Sequence, residues 1–373
     1  MYESEFPLDE SVIYLNHAAV SPWPQRTATA VKKFADENVT FGSRNYLEWV
    51  NVESRLKKQL QQLINADSSD EIALLKNTSE ALSVVAYGLP WKPGDKVVTT
   101  SQEFPSNRVI WESLKKLGVS TCLADLSQHD SPESTIITCL DENTRLLSVS
   151  SVQYGSGLKL DLVRLGAACQ ERNILFCVDA IQSLGATVFD VQACQADFVM
   201  ADGHKWMMGP EGIALFYCRR KNMDRLDLKQ YGWHMLEDAL SFDKQTWEIA
   251  SNARRFECGS PNMTGVHALY ASMTLIDKIG MPVIEQLVQE NTRFMTDFFI
   301  QREDRYQLIT PTAAPQQAGI FTFRPLTETP ESLYDTLTQE NVACALRGGG
   351  IRFSPHFYTP RKKLFKALEL LDG

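Results

Sequence analysis

Two residues stand where an enzyme built on a parallel sheet places reactive groups. Asp179 closes the apolar run Ile174-Leu175-Phe176-Cys177-Val178. Lys205 follows the next such run, Asp197–Met200, within Ala201-Asp202-Gly203-His204-Lys205-Trp206. A lysine beside a buried cleft gives up its proton and attacks carbonyl carbon. Taken alone, Asp179 reads equally as a helix-capping carboxylate and Lys205 as a solvated loop residue. The neighbours Trp206, Met207 and Met208 and the turn Gly209-Pro210-Glu211-Gly212 describe a packed loop instead. A ligand with an aldehyde at one end and a ring nitrogen at the other would join the two residues. Pyridoxal 5'-phosphate (PLP) is such a ligand: Lys205 would hold it as a Schiff base, and Asp179 would keep its ring nitrogen protonated so that the ring takes up electrons.

The elements around this pair support the placement. Ile72–Lys76, Asp95–Ser101, Arg145–Val152, Ile174–Ala180, Phe198–Ala201 and Ile213–Tyr217 read as strands. Glu80–Leu89, Asn107–Leu117 and Leu162–Arg172 carry helical periodicity. Buried strands alternating with helices predict an α/β fold, with a mostly parallel sheet and helices on both faces, whose ligands bind beyond the carboxyl ends of the strands. From about residue 291 the texture changes. Leu308–Thr310, Gly319–Arg324, Val342–Arg347 and Gly350–Ser354 read as strands, Glu331–Glu340 and Pro360–Leu371 as helices, the last with Thr359 as N-cap. The expected organisation is a large domain over 38–290 and a smaller α+β domain formed by 291–373 with the N-terminal segment 1–37.

Composition narrows the function. The 373 residues carry a net charge of −9 and no basic stripe with interleaved aromatics, which argues against nucleic acid or an anionic membrane as partner. No apolar run is long enough to span a membrane, and the acidic start MYESEFPLDE has no signal-peptide character. The 8 cysteines form no Cys-x-x-Cys pair and several lie in strand-like runs, as expected of a reducing, cytoplasmic location. The 6 histidines are scattered, so no metal site is expected. No Gly-x-Gly-x-x-Gly follows an early strand, which speaks against a dinucleotide enzyme.

The motifs VDAIQS (178–183), ADGHKW (201–206), FECGSPN (256–262) and GIRFSPHFYTP (350–360), together with Tyr14-Leu15-Asn16-His17, resemble those of the class V aminotransferase family of fold-type I PLP enzymes. That family includes cysteine desulfurases, kynureninase and isopenicillin-N epimerase. The resemblance implies that Lys205 is the Schiff-base lysine, Asp179 the partner of the pyridine nitrogen and Gln182 a partner of the ring hydroxyl. It implies a phosphate site formed by Thr78, Ser79 and His204, with Ser260 contributing to the phosphate site of a neighbouring subunit, hence a homodimer with composite active sites. Arg352 would grip the substrate carboxylate, with Asn16, His17 and Arg347 near the substrate.

This chain departs from the family pattern at several places. Phe104 stands where many members carry a histidine stacked on the cofactor; it offers a π-face but no proton relay. Tyr154 takes a position often held by asparagine. Asp202 replaces a small hydroxyl residue, and a carboxylate next to a phosphate is repelled unless it turns away or pairs. Desulfurases carry an exposed cysteine before the carboxylate-binding arginine; here Cys344 falls in a strand-like run, where burial makes a thiol inert. Tyr231, Trp233 and His234 are candidates for the substrate pocket or a dimer interface. The leading expectation is therefore an aminotransferase using a small-molecule amino acid and a keto acid. The alternatives are lyase, desulfurase-like, kynureninase-like or epimerase chemistry, and a PLP-free binding protein on the same fold.

Overall fold

The computed structural model describes residues 2–126 and 131–372. In chain order it holds β1 (Ile13–Tyr14), α1 (Gln25–Phe41), α2 (Tyr46–Leu63), β2 (Ile72–Leu75), α3 (Thr78–Gly88), β3 (Lys96–Thr100), α4 (Ser106–Glu112), β4 (Ser120–Ala124), α5 (Pro132–Thr138), β5 (Thr144–Ser150), α6 (Leu162–Glu171), β6 (Leu175–Asp179), β7 (Phe198–Asp202) and β8 (Ala214–Cys218). There follow α7 (Met263–Ile279), α8 (Met281–Ile300), β9 (Tyr306–Leu308), β10 (Phe321–Pro325), α9 (Pro330–Gln339), β11 (Val342–Ala343), β12 (Ala345–Arg347), β13 (Gly350–Phe353) and α10 (Arg361–Asp372).

The large sheet has seven strands in the order β2-β8-β7-β6-β5-β3-β4. The block β4-β3-β5-β6-β7 is parallel, and β8 runs antiparallel to both β7 and β2. The continuous apolar strands follow from cover on both faces. Phe176, Val178, Val199, Leu215 and Tyr217 point into one core, with Leu56 and Leu60 of α2 and Leu269 and Met273 of α7. Their neighbours Leu175, Cys177, Phe198, Met200, Phe216 and Cys218 point into the other, with Leu82 and Val85 of α3 and Trp111 of α4. Helix starts are set by side-chain caps: Asn77 accepts the amide of Glu80, Asp161 that of Arg164, Asn262 that of Gly265 and Thr329 that of Ser332.

The small sheet is antiparallel, ordered β12-β13-β10-β9, and packs Phe299, Phe321, Phe323 and Phe353 into a separate core. Beside it, β1 pairs in parallel with β11. The expected single strand over Val342–Arg347 breaks at Cys344, because its two halves pair with different partners, β11 with β1 and β12 with β13. The last helix begins at Arg361, and the Thr359 hydroxyl accepts the His356 amide at 2.9 Å instead of capping that helix. Helix α1 packs on α7.

Trp206 is fully buried and joins the two sheets, packing with Ala18, Val152, Ala186, Ala318 and Ile320. Gly185 lies under the same loop at φ +97°, and a Cβ there would come within 2.2 Å of the Trp206 carbonyl oxygen. Gly185→Ala is therefore expected to destabilise the fold by about 1–2 kcal/mol from the left-handed backbone alone, with the clash added. A urea unfolding midpoint equal to that of the parent protein would refute this.

Candidate active site

The loop that carries Lys205 is fastened at nearly every residue. Gly203 N–H donates to Ile213 O at 2.9 Å, Gly209 N–H to Gly203 O at 2.7 Å and Met208 N–H to Lys205 O at 2.9 Å. Ser21 N–H binds the His204 carbonyl, and Ser272 Oγ binds that of Met208. Met208 sits at φ 56°, a left-handed conformation uncommon for a residue with a side chain. The result is a lysine on a short rigid turn directly after β7.

Asp179 ends β6, the adjacent strand. Both side chains open into one cavity of about 270 Å³, also lined by Thr78, Ser79, Phe104, Tyr154, Gln182, Asp202, His204, Arg347 and Arg352. Burial acts oppositely on the two partners. It pushes the Asp179 acid up to about 7, against the N–H of Ile181 that its Oδ1 accepts at 3.1 Å and the nearby Lys205. It pulls the Lys205 amine down to about 8, helped by the cation of Arg352 and opposed by Asp179 and Asp202. Lys205 Nζ lies 5.7 Å from the centre of the Phe104 ring, which is 43% exposed and meets Tyr154 edge-on.

The polar groups at one end of the cavity suit an anion. Thr78 Oγ1 and His204 Nδ1 are buried without a hydrogen-bond partner, and Thr78 and Ser79 open helix α3, where free N–H groups and the helix dipole favour negative charge. His204 is held neutral, pulled down to about 4 by burial and by Lys205, so it would donate as an uncharged ring. Asp202 turns toward the helix: its Oδ1 accepts the Thr78 N–H at 2.9 Å, and its Oδ2 lies 3.6 Å from His204 Nδ1. Burial raises Asp202 to about 6. The Ser79 and Ser106 hydroxyls bond at 2.8 Å and tie the starts of α3 and α4 together. These donors, the amine and the carboxylate fit the phosphate, aldehyde and ring nitrogen of PLP.

Other expected residues are engaged differently. Gln182 lines the cavity, but its Oε1 accepts Trp206 Nε1–H at 2.8 Å and its Nε2 donates to Ala18 O at 3.0 Å, which leaves one N–H free. His17 is fully buried outside the cavity lining, with Nδ1 bonded to Ser354 O and Nε2 to the Tyr358 hydroxyl, both at 2.7 Å. Asn16 forms a bridge to Ser354 and does not line the cavity either. Ser260 is exposed in a separate cleft with Lys76, Glu80, Gly212 and Gln230. Of the proposed pocket aromatics, Tyr231 is 66% exposed and Trp233 leans on Phe242. His234 is buried, its Nδ1 3.4 Å from Glu257. With Glu53 these residues gather three potential metal ligands. Lys57 Nζ, 2.9 Å from Glu53 and 2.8 Å from Glu257, already supplies the cation there.

Sequence reasoning passed over Glu103, 4% exposed, whose carboxylate accepts from Thr100 Oγ1, Asn107 Nδ2, Gln153 Nε2 and both the N–H and hydroxyl of Ser150. It anchors the loop that presents Phe104 and adds negative charge near Asp179. The spacing Glu103–Asn107 at the start of a helix was the available signal. Ser106, Ser150, Ile181, Glu211 and residues 18–20 also line the cavity.

Comparison with known proteins follows this geometry. The profile of the family described as aminotransferase class-V matches residues 13–356. A Pyrococcus abyssi protein described as "probable cysteine desulfurase" is 28% identical over 99% of this chain and 95% of its own. The apo structure of cysteine desulfurase from Thermococcus onnurineus NA1 is 26% identical with a TM-score of 0.87, covering 100% of this chain and 96% of that one. Two structures of C-DES share the fold at TM-scores of 0.90 and 0.89, with 20% and 22% identity, over 99% and 98% of this chain and 99% of each of theirs. One has glycine covalently linked to its PLP cofactor; the other is described as a cystine C–S lyase in complex with its product cysteine persulfide.

The lowered amine makes a direct prediction. In the protein prepared without cofactor, modification of Lys205 by a small amine-reactive reagent should rise with pH to a midpoint near 8, because the neutral amine accumulates as pH passes the depressed value. Peptide mass spectrometry reads the extent. A midpoint above 10, that of an ordinary lysine, would contradict the desolvated setting.

Proposed function

The chain belongs to the aminotransferase class-V family, and we propose that it removes the α-proton of a bound amino acid and cleaves a side-chain bond, with PLP as its cofactor. The observation that carries this reading is the convergence of Lys205, Asp179 and Arg352 on one cavity. When bound, PLP supplies an aldehyde that captures the amino group and a ring that withdraws electrons from Cα. Lys205 would hold the cofactor through its aldehyde carbon before substrate binds. Its amine, weakly basic for a lysine, then takes the α-proton as general base. Asp179 would keep the ring nitrogen protonated, and Thr78, Ser79 and His204 would hold the phosphate. Arg352, 3% exposed with Nε unpartnered, would bind the α-carboxylate and so orient the substrate.

Cleavage is favoured over transamination by those relatives that are described as cysteine desulfurases and, at the level of fold, by a C–S lyase. A protein thiol is not part of the proposal. Among the described residues no cysteine lines the cavity, and Cys344 is 6% exposed with its thiol pushed up to about 12 by burial. Transamination is the second reading, since the same base and the same carboxylate clamp serve it. We also propose a cytoplasmic homodimer in which Ser260 approaches the partner's phosphate site. In support, all eight cysteines are free, and Tyr231, Phe242 and Trp247 are 66%, 73% and 60% exposed. No helix among the described residues is long and apolar enough to cross a membrane.

Borohydride reduction of the PLP-loaded protein should leave a pyridoxyl group on Lys205 alone, and Lys205→Ala should abolish it; a label elsewhere refutes the assignment. With sulfur amino acids, release of sulfide or persulfide together with a three-carbon product supports cleavage. Conversion of the cofactor to its amine form with a keto acid released supports transamination instead. Cys344→Ser should retain the parent rate within about twofold, since substitutions away from reacting groups seldom change the barrier by much. A loss of a hundredfold or more would restore a thiol-based desulfurase mechanism.

A further inference from the structure

Arg347 and Arg352 line the same cavity, and neither meets an acid among the described residues. Arg352 donates from Nη1 to the Tyr154 carbonyl at 2.9 Å, and Arg347 from Nη1 to the carbonyl of its own neighbour Leu346 at 2.8 Å. The two guanidiniums repel: Arg352 is pulled down to about 10, by burial first and by Arg347 second. The two inward carboxylates of the cavity, Asp179 and Asp202, are engaged elsewhere. Asp179 meets Ile181 and Lys205, and Asp202 faces the start of α3, with Glu211 near it.

Arg347 is also held in place. It ends β12 opposite Gly350 of β13, and the turn between them uses Gly348 at φ +61° and Gly349 at φ +78°. A Cβ on Gly348 would come within 2.5 Å of Gly155 O, and one on Gly155 within 3.3 Å of Gly348 Cα. The hairpin tip therefore rests backbone to backbone on the segment that carries Tyr154. That segment is itself fastened by Thr322 Oγ1 to Gly155 O and by Thr310 Oγ1 to Ser156 O, both at 2.7 Å.

We infer that Arg347 is a specificity-determining residue for a second acid group, so that the preferred substrate is an amino acid with an anionic side chain. This rests on the reading of the cavity as an amino-acid site and names its substrate class. A substrate with one carboxylate answers Arg352 and leaves the Arg347 guanidinium facing another cation. A second carboxylate, or a sulfur acid, answers both with charge-assisted bonds. Arg347 is exposed, so water screens part of the gain.

The test follows the absorption of the PLP-loaded protein during titration with L-glutamate against L-glutamine and L-aspartate against L-asparagine. In at least one pair the acid should half-saturate at a concentration about tenfold lower than the amide. Arg347→Gln should bring that ratio close to one, and Arg347→Lys, which keeps the charge but not the fork, should retain part of it. Equal half-saturation within both pairs, or a ratio unchanged in Arg347→Gln, overturns the inference and leaves the amino-acid reading standing. If none of these four, nor alanine, nor cysteine alters the spectrum of bound cofactor, the amino-acid reading itself fails and the inference falls with it.

Discussion

An amine and a carboxylate share a buried site, and the rest of the molecule serves that confinement. In water Asp179 and Lys205 would ionise several pH units apart. Burial raises the acid and lowers the base until both titrate near neutrality, and their mutual attraction keeps either shift from running further. The same burial makes Lys205 useful, because a lysine that is half neutral near working pH is both nucleophile and base. Maintaining it requires a dry floor. Val178 and Val199 beneath one face of the sheet and Cys177 and Met200 beneath the other supply that floor.

Much of this arrangement was legible in the residues. The strands ending at Asp179 and preceding Lys205 stood out as apolar runs, and their adjacency followed from the logic of parallel sheets. Periodicity marked the helices over Glu80–Leu89 and Leu162–Arg172, while the caps at Asn77 and Asp161, where a side-chain oxygen accepts an amide three residues on, came only with the structure. What escaped notice depends on partners far away in sequence. His17 looked like a pocket residue, yet it is bonded on both nitrogens to Ser354 and Tyr358. Cys344 was placed inside one strand, but the chain there passes from one sheet to another, a change that no periodicity announces. The five donors that converge on Glu103 come from β3, α4, β5 and the turn after it. Only the Thr100 and Asn107 contacts have a local spacing; those from Ser150 and Gln153 reach across about fifty residues.

Asp202 shows how one substitution can be absorbed. A carboxylate beside a phosphate site is unfavourable if it points at the phosphate. Here it accepts the Thr78 amide and lies against His204, so its charge is satisfied by the same helix start that would receive the anion. Burial also raises its proton affinity, which lessens the repulsion further.

Trp206 has a mechanical consequence. Its indole is wedged between the two sheets, with Gly319 so close that a Cβ would lie 2.3 Å from the ring edge, and its backbone is continuous with Lys205. Its carbonyl is also held by His356, from the segment that follows β13. The small sheet therefore cannot swing as an independent flap without levering the reactive nitrogen with it. Adjustments to ligands of different size must be taken up at the hairpin tips and side chains around the mouth, while the loop that carries Lys205 stays put.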